Sequence, residues 1–331
     1  MADQNSFQFG VEIELLLGSR KKTHPNWKSL ARDLSKRLLK AGIANHINDG
    51  NDKSHENYRE WSITQEITIP SQPAKNLWGL ELVSPIYPVY AYWSSDLETI
   101  FSVLHASFTL AASSHCSTHV HVSGTPTPLS AAELSALAKA ALYYEPALDR
   151  LVPPSRRGSA AYWCQSNRAN PSLQQLGLAE CLATLDHVID PDDGITGNVR
   201  NIVEAMNLFP ANSAYGRAHG KKKDFMRGKV YKWDFTGMLP SSNSSSVQGA
   251  GRGTVEFRQP PGSLVADDAS GWITLAVAFV VGAMAVGPRL GGADVNGGAS
   301  PEELWALLAS GAEALGWESL GAVEGLFERM G

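Results

Sequence analysis

The sequence predicts an α+β fold, on three observations. Strand-like alternation falls in two clusters, before residue 124 and after residue 228; helical patterns fill the stretch between; and strands do not alternate regularly with helices as in a doubly wound sheet. At 331 residues the chain can bury a sizeable core, as one large domain or two small ones. Only 18% of its residues are charged, against roughly 25% in an average soluble domain. Each charge in an apolar strand is therefore informative.

In chain order, Phe7 to Leu17 reads as a strand because Phe7, Phe9, Val11, Ile13 and Leu15 alternate with polar or acidic residues. Trp27 to Ala41 follows as a helix stopped by Gly42, then Ile47 to Glu60 as a polar loop. Trp61 to Ile69 alternates again and ends at Pro70, and Leu77 to Ser84 is a short strand before Pro85. Asp96 to Ser113 is an expected helix and Thr118 to Ser123 a strand. Ser130 to Leu151 is a helix opened by Ser130, with Glu133 at capping-box spacing. Ser172 to Asp186 and Asn198 to Leu208 are helical, and Arg217 to Lys229 is a basic loop. Strands at Lys229 to Met238 and Thr254 to Gln259 flank the flexible stretch SSNSSSVQGAGRG. Gly271 to Gly287 carries no charge, yet it is shorter than the roughly 20 apolar residues of a membrane span and is closed by Gly287 and Pro288. It is expected to be a buried core helix. Two amphipathic segments within Pro301 to Met330 follow the Gly-rich linker Gly291 to Gly298.

The 28 Lys and Arg against 33 Asp and Glu give a net charge of −5, without the basic excess that phosphate-backbone binding needs. A nucleic-acid partner is excluded on that ground, and no membrane association is expected. Cys116, Cys164 and Cys181 form no CxxC, and MADQNSFQFG lacks the basic and apolar regions of a signal peptide. The expected location is cytoplasmic.

Side chains two apart on a strand share a face. Glu12 and Glu14 do so in FGVEIEL, His119 and His121 in STHVHVSG, and Glu256 and Arg258 in GTVEFRQP, each over an apolar opposite face. One strand at a time, this is how any half-exposed antiparallel sheet reads. Together the three strands ask for more. Glu is a poor strand former, and like charges side by side are unfavourable unless offset. Glu66 and Glu81 add two further acids on expected strands. Several carboxylates with a His suit Mg²⁺ or Mn²⁺, which take oxygen donors, and an Arg beside them suits a transferring phosphoryl group. No GxxxxGK[ST] or GxGxxG is present, so a nucleotide would not sit on a P-loop or Rossmann turn. A zinc site built on HxH is the competing use of the histidines, and would leave most of the glutamates unexplained.

The motifs FGVEIEL (9–15), WSITQEIT (61–68), ELVSP (81–85), THVHVS (118–123), PSRRGSAAYWC (154–164) and TVEFRQPPGS (254–263) resemble, in order and spacing, those of the amidoligase family. That family is a branch of the carboxylate-amine ligase superfamily, with glutamine synthetase and glutamate-cysteine ligase. The resemblance covers residue 7 to about 290. It implies a curved antiparallel sheet with outer helices and a helical insert at about 130–228, in a catalytic domain 1–290; residues 291–331, outside the resemblance, are expected to form a helical extension packed on it. The resemblance also implies ATP and Mg²⁺ or Mn²⁺ as cofactors. By the resemblance, Glu12, Glu14, Glu81 and Glu256 hold the cations with His121, and His119 or His121 completes the nucleotide site. Arg258 faces the transferring phosphate, and Arg156 and Arg157 bind phosphate or carboxylate. Two departures stand out: Glu66 and Thr68 where an Asp before a small hydroxyl residue is usual, and Pro260-Pro261 where a His is usual.

The implied reaction is an ATP-dependent condensation of a small-molecule or peptide carboxylate with an amine, through an acyl phosphate. Arg258 acts on the moving phosphoryl group, and Glu66, an acid outside the three polar pairs, is the candidate general base. Two alternatives are a metal-dependent hydrolase using His119 and His121 and a non-catalytic binding protein on the same fold.

Overall fold

The structure, a computed structural model, describes residues 6–50, 58–189, 191–209, 229–239, 253–291, 295 and 297–329. Its spine is β1 (Ser6–Ser19), whose alternating pattern buries Val11, Ile13, Leu15 and Leu17 on one side. Antiparallel to it lie β4 (Trp78–Val83) on one edge and β7 (Thr118–Thr125) on the other, with the short β5 (Tyr87–Pro88) and β6 (Phe108–Ala111) pairing toward its two ends. Beyond β4 come β3 (Trp61–Gln65) and β2 (Asn45–Ile47); beyond β7 come β9 (Val255–Phe257) and β8 (Trp233–Asp234). The sheet order is β2-β3-β4-β1-β7-β9-β8, antiparallel except for the β2–β3 pair. The fold is thus α+β with a large antiparallel sheet, the class read from the sequence.

Helices cover one face of this sheet. In α1 (Trp27–Lys40), Leu30, Ala31, Leu34 and Leu38 recur at helical spacing and pack on β3 and β4. Asn26 caps its first turn by accepting the Ser29 amide at 2.9 Å. Next come α2 (Trp93–Ser107), then α3 (Ala131–Tyr143), where Ser130 and Glu133 form the expected capping box. Following α4 (Glu145–Arg150), α5 (Leu178–His187) and α6 (Gly194–Asn207), α7 (Ala266–Val286) runs under β7 and β1. Its other sides meet α3, α8 (Pro301–Ala314) and α9 (Gly321–Glu328). A helix enclosed all round must be apolar all round. The span 266–289 is long and apolar enough to cross a membrane, but 78% of its most apolar window is buried inside the fold.

Several boundaries differ from the sequence reading. The strand expected to Ile69 ends at Gln65, because Glu66 Oε1 accepts the Thr68 amide at 2.6 Å and turns the chain. The helix expected to Ser113 ends at Ser107, and Phe108–Ala111 pairs with β1 as β6. The helix expected over 130–151 breaks at Tyr144, where Pro146 lacks an amide and crowds the preceding turn. Ser172 to Gly177 is turn, and the two strands after 228 are shorter than expected. The basic loop up to residue 228, most of SSNSSSVQGAGRG and part of the Gly-rich linker lie outside the described residues.

Candidate active site

Directly opposed side chains on antiparallel strands project from the same face, as do those two apart on one strand. Register therefore joins the separate polar pairs into one belt. Glu14 stands opposite Glu81, and Glu12 opposite His119. His121 stands opposite Glu256, and Glu256 opposite Asp234. The helices cover the other face, so this belt floors a cleft of about 470 Å³, open to solvent and lined by Glu12, Glu14, Glu81, His119, Lys229 and Arg258. Its far wall, over β3, holds Ser62, Thr64 and Glu66, with Trp27 and Trp163 among the rim residues.

Within the floor, His119 Nδ1 lies 3.4 Å from Glu12 Oε2, 3.6 Å from Glu256 Oε1 and 3.8 Å from Glu14 Oε1. His121 Nε2 is 3.1 Å from Glu12 Oε1 and 3.7 Å from Glu256 Oε1. Glu14 Oε2 accepts the Ser117 amide at 2.7 Å. Glu256, almost fully buried, accepts hydrogen bonds from Arg258 on one oxygen and Lys229 on the other, and Lys229 Nζ is also 3.8 Å from Asp234.

These neighbours set the charge states. Burial opposes ionisation of Glu256, but Arg258, Lys229 and His121 outweigh it and hold its pKa well below the usual carboxylate range. Desolvation likewise opposes ionisation of the part-buried Glu12, yet His121 and His119 hold its pKa low. Glu14 goes the other way: burial, then the Glu66 charge, push it up to about 8. His119 is pushed down to about 4 by burial and by Arg258, which leaves a neutral ring able to act as a ligand. Burial raises the Cys164 thiol, which suits packing and not nucleophilic attack.

The donor set fits a hard divalent cation. Glu12, His119 and Glu256 can bring one ligand atom each within 4.8 Å of one another, and so can Glu14, Glu81 and His119. The two groups share His119, so its ring serves one ion at a time. On the floor, Arg258 and Lys229 pair with Glu256, and Lys229 also lies 3.8 Å from Asp234, while Glu12 and Glu14 face the His119 ring. His121 Nε2 is buried and lacks a partner in hydrogen-bonding geometry, a further polar atom that a cation or its water would satisfy.

Of the residues singled out from the sequence, Glu12, Glu14, Glu81, His119, His121, Glu256 and Arg258 come together, and Glu66 joins them at the rim from the turn after β3. Arg156 and Arg157 do not line this cleft. Arg156 is buried behind it on backbone carbonyls, and Arg157 Nε donates to the Val152 carbonyl at 2.9 Å, on another face. Asp234 and Ser117 were not singled out. Asp234, an acid on the expected strand Lys229 to Met238, carries the same signal as the strand-borne glutamates, whereas nothing local marks Ser117.

A family model described as "Putative amidoligase enzyme" matches residues 5–191. No curated protein matches. Among solved structures, glutamate-cysteine ligase from Francisella tularensis in complex with AMP aligns over 99% of this chain and 82% of its own, at 13% identity and a TM-score of 0.42. The family match ends before Lys229, Glu256 and Arg258, which the fold brings to the same cleft. It spans more than half of the chain and carries the paired glutamates and histidines of the floor, so the chain belongs to the amidoligase family.

Proposed function

We propose that the protein is an ATP-dependent ligase that condenses a carboxylate with an amine through an acyl phosphate. The observation that carries the reading is the cleft floor itself: two pairs of strand-borne glutamates, Glu12 with Glu256 and Glu14 with Glu81, each pair in reach of His119, with Arg258 and Lys229 beside Glu256. Mg²⁺ or Mn²⁺ held by Glu12, His119 and Glu256, and by Glu14 and Glu81, would neutralise triphosphate charge when bound. Arg258, fixed by Glu256, presents its guanidinium to the γ-phosphoryl, and Lys229, half-exposed at the cleft's edge, adds a second cation on the same side.

The substrate carboxylate oxygen attacks the γ-phosphorus and the bond to the β-phosphate oxygen breaks, releasing ADP. The amine nitrogen then attacks the acyl carbon, the carbon–oxygen bond to phosphate breaks, and Glu66 takes the nitrogen's proton. The far wall, with Ser62, Thr64 and Glu66, is where the amine would approach.

Incubation with Mg²⁺-ATP and a panel of acids and amines is expected to release ADP and phosphate only when a matching pair is present. Absence of ADP release across the panel, together with no shift of Tm by ATP, would sink the proposal. The hydrolase alternative is disfavoured by the donor groups, each of which contains one histidine and two carboxylates. Tightly bound zinc with ATP-independent hydrolysis would reverse that preference.

A further inference from the structure

We propose that Arg156 is a positioning residue for the cation site: from behind the cleft it fixes Ser117, and through the Ser117 amide it fixes the Glu14 carboxylate. The inference rests on the reading of the cleft as a divalent-cation site.

The Arg156 side chain is 6% exposed. Its Nη2 donates to the Cys116 carbonyl and to Ser117 Oγ, both at 2.7 Å, and Nη1 donates to the Gln259 carbonyl at 3.4 Å. The same Cys116 carbonyl accepts the Gly262 amide at 2.9 Å, so one guanidinium joins the approach to β7 with the exit from β9. Ser117 is tied to β1 from the other side: its amide donates to Glu14 Oε2 at 2.7 Å and its carbonyl accepts the Glu14 amide at 3.0 Å. Among the described residues, that amide is the hydrogen-bond donor to the Glu14 side chain, and His119 stands 3.8 Å away.

Arg156 forms no ion pair among the described residues, and its acceptors are two carbonyls and a hydroxyl. Burying a guanidinium on neutral acceptors is costly, so the position calls for its geometry. The two hydrogens of Nη2 hold the 116 carbonyl and the 117 hydroxyl at once, and so orient the intervening peptide whose amide aims at Glu14, while Nη1 ties the guanidinium plane to the Gln259 carbonyl. A Lys ammonium could donate to the same two acceptors, but it lacks the second nitrogen that reaches the Gln259 carbonyl and the plane that fixes the donors' direction. Groups that orient a metal-ligating side chain typically change metal affinity by about 10- to 100-fold when removed.

The test is calorimetric titration of the full chain with MnCl₂ alone, for wild type, Arg156→Gln, Arg156→Lys and Ser117→Ala, with melting curves for each. ADP binding is measured alongside in metal-free buffer. Arg156→Gln is expected to weaken Mn²⁺ binding by about 10- to 100-fold, and Arg156→Lys to recover only part of the loss. Ser117→Ala, which keeps the amide and loses the hydroxyl link to Arg156, is expected to weaken it by about 2- to 10-fold. Metal-free ADP binding is expected to match wild type throughout. Unchanged Mn²⁺ affinity in folded Arg156→Gln overturns the proposal, as does loss of metal-free ADP binding with Mn²⁺ affinity intact, which would make Arg156 a phosphate contact. If Arg156→Gln does not melt cooperatively, Ser117→Ala decides: wild-type Mn²⁺ affinity there overturns the proposal. Wild type that binds no Mn²⁺ overturns the cation-site reading itself, and this inference with it.

Discussion

Glu14 and Glu256 stand two strands apart on one surface, yet their neighbours drive them in opposite directions. Glu256 has Arg258 and Lys229 on its oxygens; Glu14 has the Glu66 charge and a single amide. Removing the Glu256 charge takes the shared partner from the largely buried Arg258 and the half-exposed Lys229, so Glu256→Gln is expected to lower ADP release by about 100-fold or more and to lower Tm. For Glu14 the sign reverses. Its folded pKa of about 8 lies above the ordinary 4.5, so its neutral form supports the fold below pH 4.5 and that support is lost as pH rises through 8. With divalent cations chelated, Glu14→Gln is expected to melt higher than wild type at pH 9, by a margin that shrinks toward pH 5; equal margins would contradict the assignment. Both carboxylates were visible in the sequence as strand-borne acids. Their opposite states were not, because these depend on groups that other elements bring alongside, Glu66 for Glu14 and Lys229 and His121 for Glu256.

Among the elements, the short β8 is held from below by a buried cation. Lys232 is 1% exposed and bonds Glu145 Oε1 at 2.6 Å and Asp149, both on α4, while its carbonyl accepts the Arg258 amide at 2.8 Å. The helical stretch after β7 is thereby fastened to the strands that carry Asp234, Glu256 and Arg258. Lys232→Met is expected to cost about 3–5 kcal/mol in urea unfolding, since it strands two carboxylates. A second contact joins α7 and α8. A Cβ on Gly311 would lie 2.0 Å from the Ala278 carbonyl oxygen, and one on Gly282 would lie 2.4 Å from that of Leu307. Gly311→Val is therefore expected to lower stability by about 1–3 kcal/mol or more, measured by chemical denaturation. The long periodic elements, β1, α1 and the core helix α7, were legible from pattern alone. The boundaries at residues 66, 108 and 144 were not: a side-chain turn, pairing with β1 and a proline two residues on decided them.

Across the whole molecule, a net charge of −5 conceals a concentration of acids on one face of one sheet. A ligand that binds the folded state alone stabilises it by mass action. MgCl₂ or MnCl₂ is accordingly expected to raise Tm, with EDTA reversing the gain and Glu12→Gln blunting it. The alternation that marked each polar pair was readable within a strand, but the belt needed the register among five strands, which alternation alone leaves undetermined. Register also carries a consequence for folding fidelity. Glu12 and Glu14 sit on the strand that pairs with four others, and the strand period is two. A slip of β1 by one residue would turn Val11 and Ile13 into the cleft and both glutamates against the helices. Such a chain would lose its chemistry and its core in the same error, so this slip cannot yield a well-packed sheet that is merely catalytically silent.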